Sequence, residues 1–237
     1  MRFRLDHVVI AVHDLARAVA DYRVLGFTVQ MGGRHPGRTS HNALVVFEDG
    51  AYLELIAWPE PGPAERWYNV LTAHGEGFMD FALIPEDVPR AIDEARSRGL
   101  ALNGPIEGSR VRPDGRELKW RTGRQATFDL PFLCGDVTPR ELRVPEGDAR
   151  RHANGALGVA SVTVGVHDVD VSRTRYRALL GTPELDVGET RLVLAPGAAA
   201  REGPCAMQVR TSIRAKAGPL DRGLTHGAAI ELIPPPR

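Results

Sequence analysis

Three times in this chain of 237 residues an apolar run ends at an aspartate, an amphipathic stretch follows, and a glycine closes it. In the first copy Leu5-Asp6-His7-Val8-Val9-Ile10-Ala11-Val12 leads into His13-Asp14-Leu15. The second runs from Phe78 to Val88 with Asp87 in the corresponding place, and the third from Val159 to Val169 with Asp168. Aspartate is a strong N-cap, because its carboxylate accepts from the free N–H groups of the first turn. Leu15, Ala18, Val19, Tyr22 and Leu25 then recur at spacings of three and four, which predicts a helix over 15–25 ended by Gly26. The same logic predicts helices over 88–98, closed by Gly99, and through Tyr176, Leu179 and Leu180, closed by Gly181. Repetition at this scale means one supersecondary unit used several times.

Strand-like runs follow each helix. They are 27–31, 42–47 and 52–58 in the first copy, then 100–106, 118–122 and 130–134, then 191–195, 206–211 and 228–233. The order strand, helix, three strands defines an α+β chain of three βαβββ modules with curved, mainly antiparallel sheets. Paired modules occupy 1–137, a connector 138–157, and a third, divergent module 158–237. The segment Pro59–Gly77 also reads as a connector, and Pro196–Gly203, with its three alanines, as a loop.

Composition narrows the partners. Thirty basic and thirty acidic residues give zero formal net charge, so nothing favours nucleic acid or an anionic membrane as partner. No apolar run approaches the length of a membrane span, and no signal-like apolar segment follows Met1, so the expectation is a cytoplasmic protein. Cys134 and Cys205 sit in apolar runs without a CxxC pattern and read as buried thiols.

Leu5-Asp6-His7-Val8-Val9, the stretch Gly32-Gly33-Arg34-His35-Pro36-Gly37 with Thr39 and Asn42, Tyr52-Leu53-Glu54-Leu55-Ile56, and His152-Ala153-Asn154-Gly155 together resemble the glyoxalase-like branch of the vicinal-oxygen-chelate superfamily. The likeness covers 1–137 well and the remainder more loosely. It implies a cup made by two modules around a small-molecule site. It also implies, for metal-dependent members, ligands from the first and fourth strands of each module. Aligned on the capping aspartates, His7 corresponds to Asp80 and Ser161, and Glu54 to Phe132 and Glu231. The ligand set implied is therefore His7, Glu54 and Asp80, with Phe132 at the fourth place. Such a set would suit one divalent ion (iron, manganese, nickel, zinc or magnesium), or no ion where the family has lost it.

Each candidate has a second reading. His7 is a metal ligand, a hydrogen-bonding contact to an organic ligand, or a structural residue. Tyr52, Glu54 and Ile56 share one strand face, where an ionised carboxylate needs a partner: a metal, a histidine or a cationic substrate. Otherwise Glu54 is an edge carboxylate facing water. Glu54 and His35 are the candidate proton-transfer residues. The stretch from Gly32 to Asn42, with Gly33, His35, Thr39 and Asn42, is either a ligand-contacting loop over the cup mouth or a turn that needs its glycines. Phe132, His152 and Asn154 complete the candidate ligand contacts, the last two alternatively stabilising a loop. His13 and His167 recur beside the cap aspartates and read as turn residues. Trp67, Tyr68 and Trp120 line a pocket or the core. The third module lacks a pairing module, so it either joins its counterpart in a homodimer or packs beside the first two. The function expected is that of a lyase, isomerase or dioxygenase-type enzyme, or else of a protein that only binds or sequesters a small molecule.

Overall fold

The computed structural model describes residues 2–197 and 201–234. Residues 198–200 of the expected 196–203 loop therefore lie outside the described residues. The first module comprises β1 (Phe3–Ala11), α1 (Leu15–Val24), β2 (Gln30–Arg34), β3 (His41–Val46) and β4 (Tyr52–Ala57). After α2 (Arg66–His74), the second comprises β5 (Gly77–Pro85), α3 (Val88–Ser97), β6 (Asn103–Val111), β7 (Glu117–Arg124) and β8 (Phe132–Asp136). The short α4 (Arg140–Arg143) lies in the connector. The remainder comprises β9 (Ala156–Val166), α5 (Val169–Leu180), β10 (Asp186–Val187), β11 (Thr190–Pro196), β12 (Gly203–Thr211), β13 (Gly218–Pro219) and β14 (Ile230–Ile233).

The repeated helix starts have one cause. Asp14 accepts from the Arg17 N–H, Asp87 from the Arg90 N–H, and Asp168 from the N–H groups of Asp170 and Val171. Each such cap contributes about 1 kcal/mol. Each helix is left through a glycine with positive φ: 88° at Gly26, 87° at Gly99 and 76° at Gly181. Helix α2 occupies Arg66–His74, inside the stretch 59–77 whose sequence reads as connector. Prolines at 59, 61 and 63 precede it, and Glu65 makes no side-chain cap, so the sequence gives no start signal there.

The first two modules close into one barrel in the order β1-β4-β3-β2-β6-β7-β8-β5. Within a module the first strand runs parallel to the fourth, with His7 beside Tyr52 and Val9 beside Glu54. Between modules β1 pairs antiparallel with β5, and Arg34 pairs with Val111 at the other seam. That second seam depends on Gly33: a Cβ there would lie 2.0 Å from the Val111 carbonyl oxygen, and its φ is 138°. Gly33, expected to contact ligand, therefore serves sheet closure.

Outward residues Val8, Ile10, Leu53 and Leu55 join α1, α3 and α5 in one continuous core that includes Val162 and Val164 of β9. A separate apolar cluster of Val9, Ile56, Trp67, Leu71, Ala82 and Phe132 packs α2 against the inner face of the barrel.

The last part of the chain departs from three consecutive strands after a helix. Its sheet runs β10-β11-β9-β12-β14-β13. β11 lies parallel to β9, as β4 lies to β1. β12 pairs antiparallel with β9, as β5 pairs with β1, and takes β14 as its own parallel neighbour. The third module thus finds its pairing partner in its own chain, which removes the sequence argument for a homodimer. Glu231 lies on β14 beside Gln208, so it is not the counterpart of Glu54. That place belongs to Val193, beside Thr163.

Candidate functional site

The barrel encloses a cavity of about 750 Å³. His7, Asn42, Glu54, Phe132 and His35 all reach it. The alternation of side chains along β1, β3, β4 and β8 turns the first four inward, and His35 reaches the cavity from the loop after β2.

His7 is fixed from behind. Its Nδ1 donates to Asp6 Oδ2 at 2.7 Å, and its ring stacks on Tyr52 with centroids 4.7 Å apart. Asp6 is fully buried and meets the Arg143 guanidinium through two bonds, Nη1 to Oδ2 at 2.7 Å and Nη2 to Oδ1 at 3.0 Å. Arg143 also donates to Tyr52 Oη at 2.7 Å and to both oxygens of Asp136, and Arg140 bridges Asp6 and Asp136. Burial alone would raise the Asp6 pKa, but Arg143, the His7 N–H and Arg140 outweigh it and hold the carboxyl well below the usual range. An ionised Asp6 can only accept, so Nδ1 carries the His7 proton and Nε2 points toward Glu54.

Glu54 Oε1 accepts from Asn42 Nδ2 at 2.5 Å, and Arg110 Nη1 donates to Asn42 Oδ1 at 3.1 Å. The His7 Nε2 stands 3.5 Å from Glu54 Oε2, and His35 Nε2 stands 3.8 Å from Oε1. Burial pushes the Glu54 pKa up, yet the histidines, the Asn42 amide and Arg110 outweigh it and bring the value below the ordinary one. For His35, burial lowers the pKa more than Glu54 raises it, and Arg110 and Arg38 lower it further. The site therefore combines an ionised carboxylate with an imidazole biased toward its neutral form.

Several expected residues stand elsewhere. Asp80 turns toward α2, where Trp67 Nε1 donates to Oδ2 at 3.1 Å and the Phe81 N–H donates to Oδ1 at 3.0 Å. Burial raises the Asp80 pKa against the opposing pull of Arg124 and Arg66. The expected trio His7, Glu54 and Asp80 is therefore not assembled, and no group of three His, Cys, Asp or Glu fit to hold an ion occurs among the described residues. His7 and Glu54 provide two donors, His35 approaches the Glu54 oxygen already taken by Asn42, and Phe132 fills the fourth place. These residues do not fit the expected metal site.

Thr39 donates through its N–H and hydroxyl to Glu65, tying the 35–40 loop to the start of α2 rather than facing the cavity. His152 lies between Phe27 and Phe47, accepts from the Thr28 N–H and donates to the Val46 carbonyl. Asn154 donates to the Leu25 carbonyl and accepts from the Ala156 N–H. Both fasten the connector to the outside of the first module, which corrects their assignment as ligand contacts. Cys134 is buried and Cys205 partly buried, and both are free thiols.

Sequence reasoning missed the arginines. Arg110, Arg124 and Arg143 line the cavity from β6, β7 and α4. The residues flanking them alternate too weakly to mark an inner face, as in Glu107-Gly108-Ser109-Arg110.

A closed barrel of two βαβββ modules, with its polar residues converging on the interior, is the architecture that the resemblance to the vicinal-oxygen-chelate superfamily implies. The chain belongs to the glyoxalase-like domain family, which matches residues 5–180. A hypothetical protein from Staphylococcus aureus has a similar structure, at 14% identity and a TM-score of 0.77, covering 98% of this chain and 100% of that one. A variant of 4-hydroxymandelate synthase from Streptomyces coelicolor is similar at 13% identity and a TM-score of 0.61, over 92% of this chain and 76% of that one. A xylose isomerase-like TIM barrel/4-hydroxyphenylpyruvate dioxygenase fusion protein is similar at 14% identity and a TM-score of 0.60, over 92% of this chain and 39% of that one. At these identities the likeness establishes the shared fold alone. No curated protein matches the chain in sequence. No helix among the described residues is long and apolar enough to cross a membrane.

Proposed function

We propose that the protein is a glyoxalase-like small-molecule enzyme of the isomerase or lyase kind, with Glu54 as its proton-transfer group. One observation carries this reading. Glu54 is buried in the cavity wall and held ionised, yet its neighbours there are two histidines and an amide rather than a guanidinium salt bridge. Such a carboxylate is present in its proton-accepting form at neutral pH, and its burial keeps water from competing for the proton it takes. Asn42 fixes Oε1, which leaves Oε2 to act.

The step that fits is removal of a proton from a carbon beside a carbonyl. The C–H bond breaks, its electron pair forms the C=C bond of an enolate, and the proton passes to Glu54 Oε2. Negative charge gathers on the former carbonyl oxygen, where the field of the buried Arg110 favours it. His7 Nε2 lies near enough to share the proton before its return to the same or a neighbouring carbon. The aromatic wall of Tyr52, Trp67, Trp120 and Phe132 supports a second reading, a binding or sequestering protein that uses the cavity without chemistry.

Proton exchange in deuterated water separates the two. Small ketones, aldehydes, 2-oxo acids and thioesters are incubated with the parent and with Glu54→Gln, and deuterium beside the carbonyl is followed by NMR. Incorporation by the parent should slow by about 100-fold or more in the variant. Equal rates in the two proteins would defeat the Glu54 assignment, and binding without incorporation would favour the sequestering reading.

A further inference from the structure

The cavity has a charge imbalance at the end formed by α2 and β7. Arg124 lies with its guanidinium carbon 4.5 Å from the Phe132 ring centroid and 4.9 Å from that of Trp67. Among the described residues its side chain makes no salt bridge and no hydrogen bond. Burial lowers its pKa, Asp80 opposes this without being in contact, and Arg38 and Arg66 lower it further. Three arginines therefore crowd one end of a single cavity.

Among the described residues none of the three has a carboxylate within salt-bridge distance. Arg66 spends its N–H groups on the Gln125 and Thr127 carbonyls, and Arg38 is exposed at the rim. The acidic residues that also border the cavity are engaged elsewhere: Glu54 with Asn42 and the two histidines, Glu65 with Thr39 and Ser40, Glu107 with Arg121 at 2.7 Å, and Glu117 with Lys119 at 3.8 Å. Like charges gathered in a partly desolvated cavity repel one another unless an anion enters, and such a cleft draws anions toward it. The planar guanidinium of Arg124, steadied on two aromatic faces, presents a fork matched to a carboxylate or phosphoryl group.

We propose that the barrel recognises an organic oxyanion, its carboxylate or phosphoryl group seated on Arg124 and its apolar body lying against Trp67 and Phe132. This rests on the reading of the barrel as the working site and adds the substrate class. Glu54 then acts at a carbonyl carried by the same molecule, away from the anchored group.

Trp67 and Trp120 border the cavity, so tryptophan fluorescence can report binding. The probes are phenylacetate, phenyl phosphate and neutral phenylacetamide. At least one anion should bind about tenfold more tightly than the amide. That preference should collapse in Arg124→Gln, be partly restored in Arg124→Lys, fall in Arg38→Gln, and shrink as salt is raised. Tighter binding of phenyl phosphate assigns a phosphoryl group, and tighter binding of phenylacetate a carboxylate. The proposal is overturned if the amide binds as well as both anions, if no probe saturates at millimolar concentration, or if a folded Arg124→Gln keeps the preference. Should Arg124→Gln not fold, an undiminished preference in Arg38→Gln overturns it equally. Glu54→Gln should keep the anion preference whatever its proton-exchange rate, so failure here and failure of the Glu54 assignment are read from different measurements.

Discussion

Replacing Arg143 by methionine tests whether the connector holds the first module's site in place. Arg143 is 3% exposed and has five N–H groups, all of them used. Its Nε donates to Asp136 Oδ1 at 2.5 Å, Nη1 donates to Asp6 and Tyr52, and Nη2 donates to Asp6 and Asp136. Breaking a buried ion pair from one side costs about 3–5 kcal/mol, because the carboxylate left behind stays buried. Here Asp6 keeps Arg140 and the His7 N–H, and Asp136 keeps Arg140, which places the loss near about 3 kcal/mol. For a chain of this size that is a fall in Tm of about 6–12 °C. Thermal and urea unfolding of Arg143→Met, Asp6→Asn and the double variant measure it. The double variant should be more stable than the sum of the single losses by about 1 kcal/mol or more. A Tm within about 2 °C of the parent, or strictly additive losses, would show that the network contributes little.

Further outcomes follow from the same geometry. The Asp6 pKa is lowered by folding, so its stabilisation is fully present above the unfolded value of about 3.9 and is lost as pH falls through the lower folded value. Urea midpoints measured on acidification should therefore decline less steeply in Asp6→Asn than in the parent, and parallel curves would contradict the linkage. Gly33→Ala should destabilise by at least about 1–3 kcal/mol from backbone strain alone, before the 2.0 Å approach to Val111 O is counted, and an unchanged urea midpoint would refute that. His152→Ala should cost about 1–3 kcal/mol through the unsatisfied Thr28 N–H and Val46 carbonyl. Because His152 packs outside the barrel, the variant should leave phenylacetate affinity unchanged, and weakened binding by a protein of parental stability would return it to the site.

The legible part of this protein is local. The capping aspartates at 14, 87 and 168 and the glycines at 26, 99 and 181 act within a helical turn, so their spacing alone identified three helices. Alternation along Tyr52-Glu54-Ile56 likewise put Glu54 on a face that the fold turns inward, whereas His7 was marked by the family resemblance. Helix α2 stayed hidden because no cap marks its start. Asp80 was misplaced because alignment fixes a position in a repeat without fixing what packs over it, and here α2 brings Trp67 onto the carboxylate.

What the sequence by itself determined is the repeated module and its α+β class, because period, capping and strand alternation are short-range properties; His7 and Glu54 were marked together only through the family resemblance. Only the tertiary structure decided the rest. It brought Arg143 to Asp6 across 137 positions, paired β12 with β9, and gathered Arg38, Arg66 and Arg124 at one end of the cavity. No local pattern encodes those meetings. They come from closing the barrel and from covering the exposed edge of β9, and both depend on which strands find each other in the whole fold.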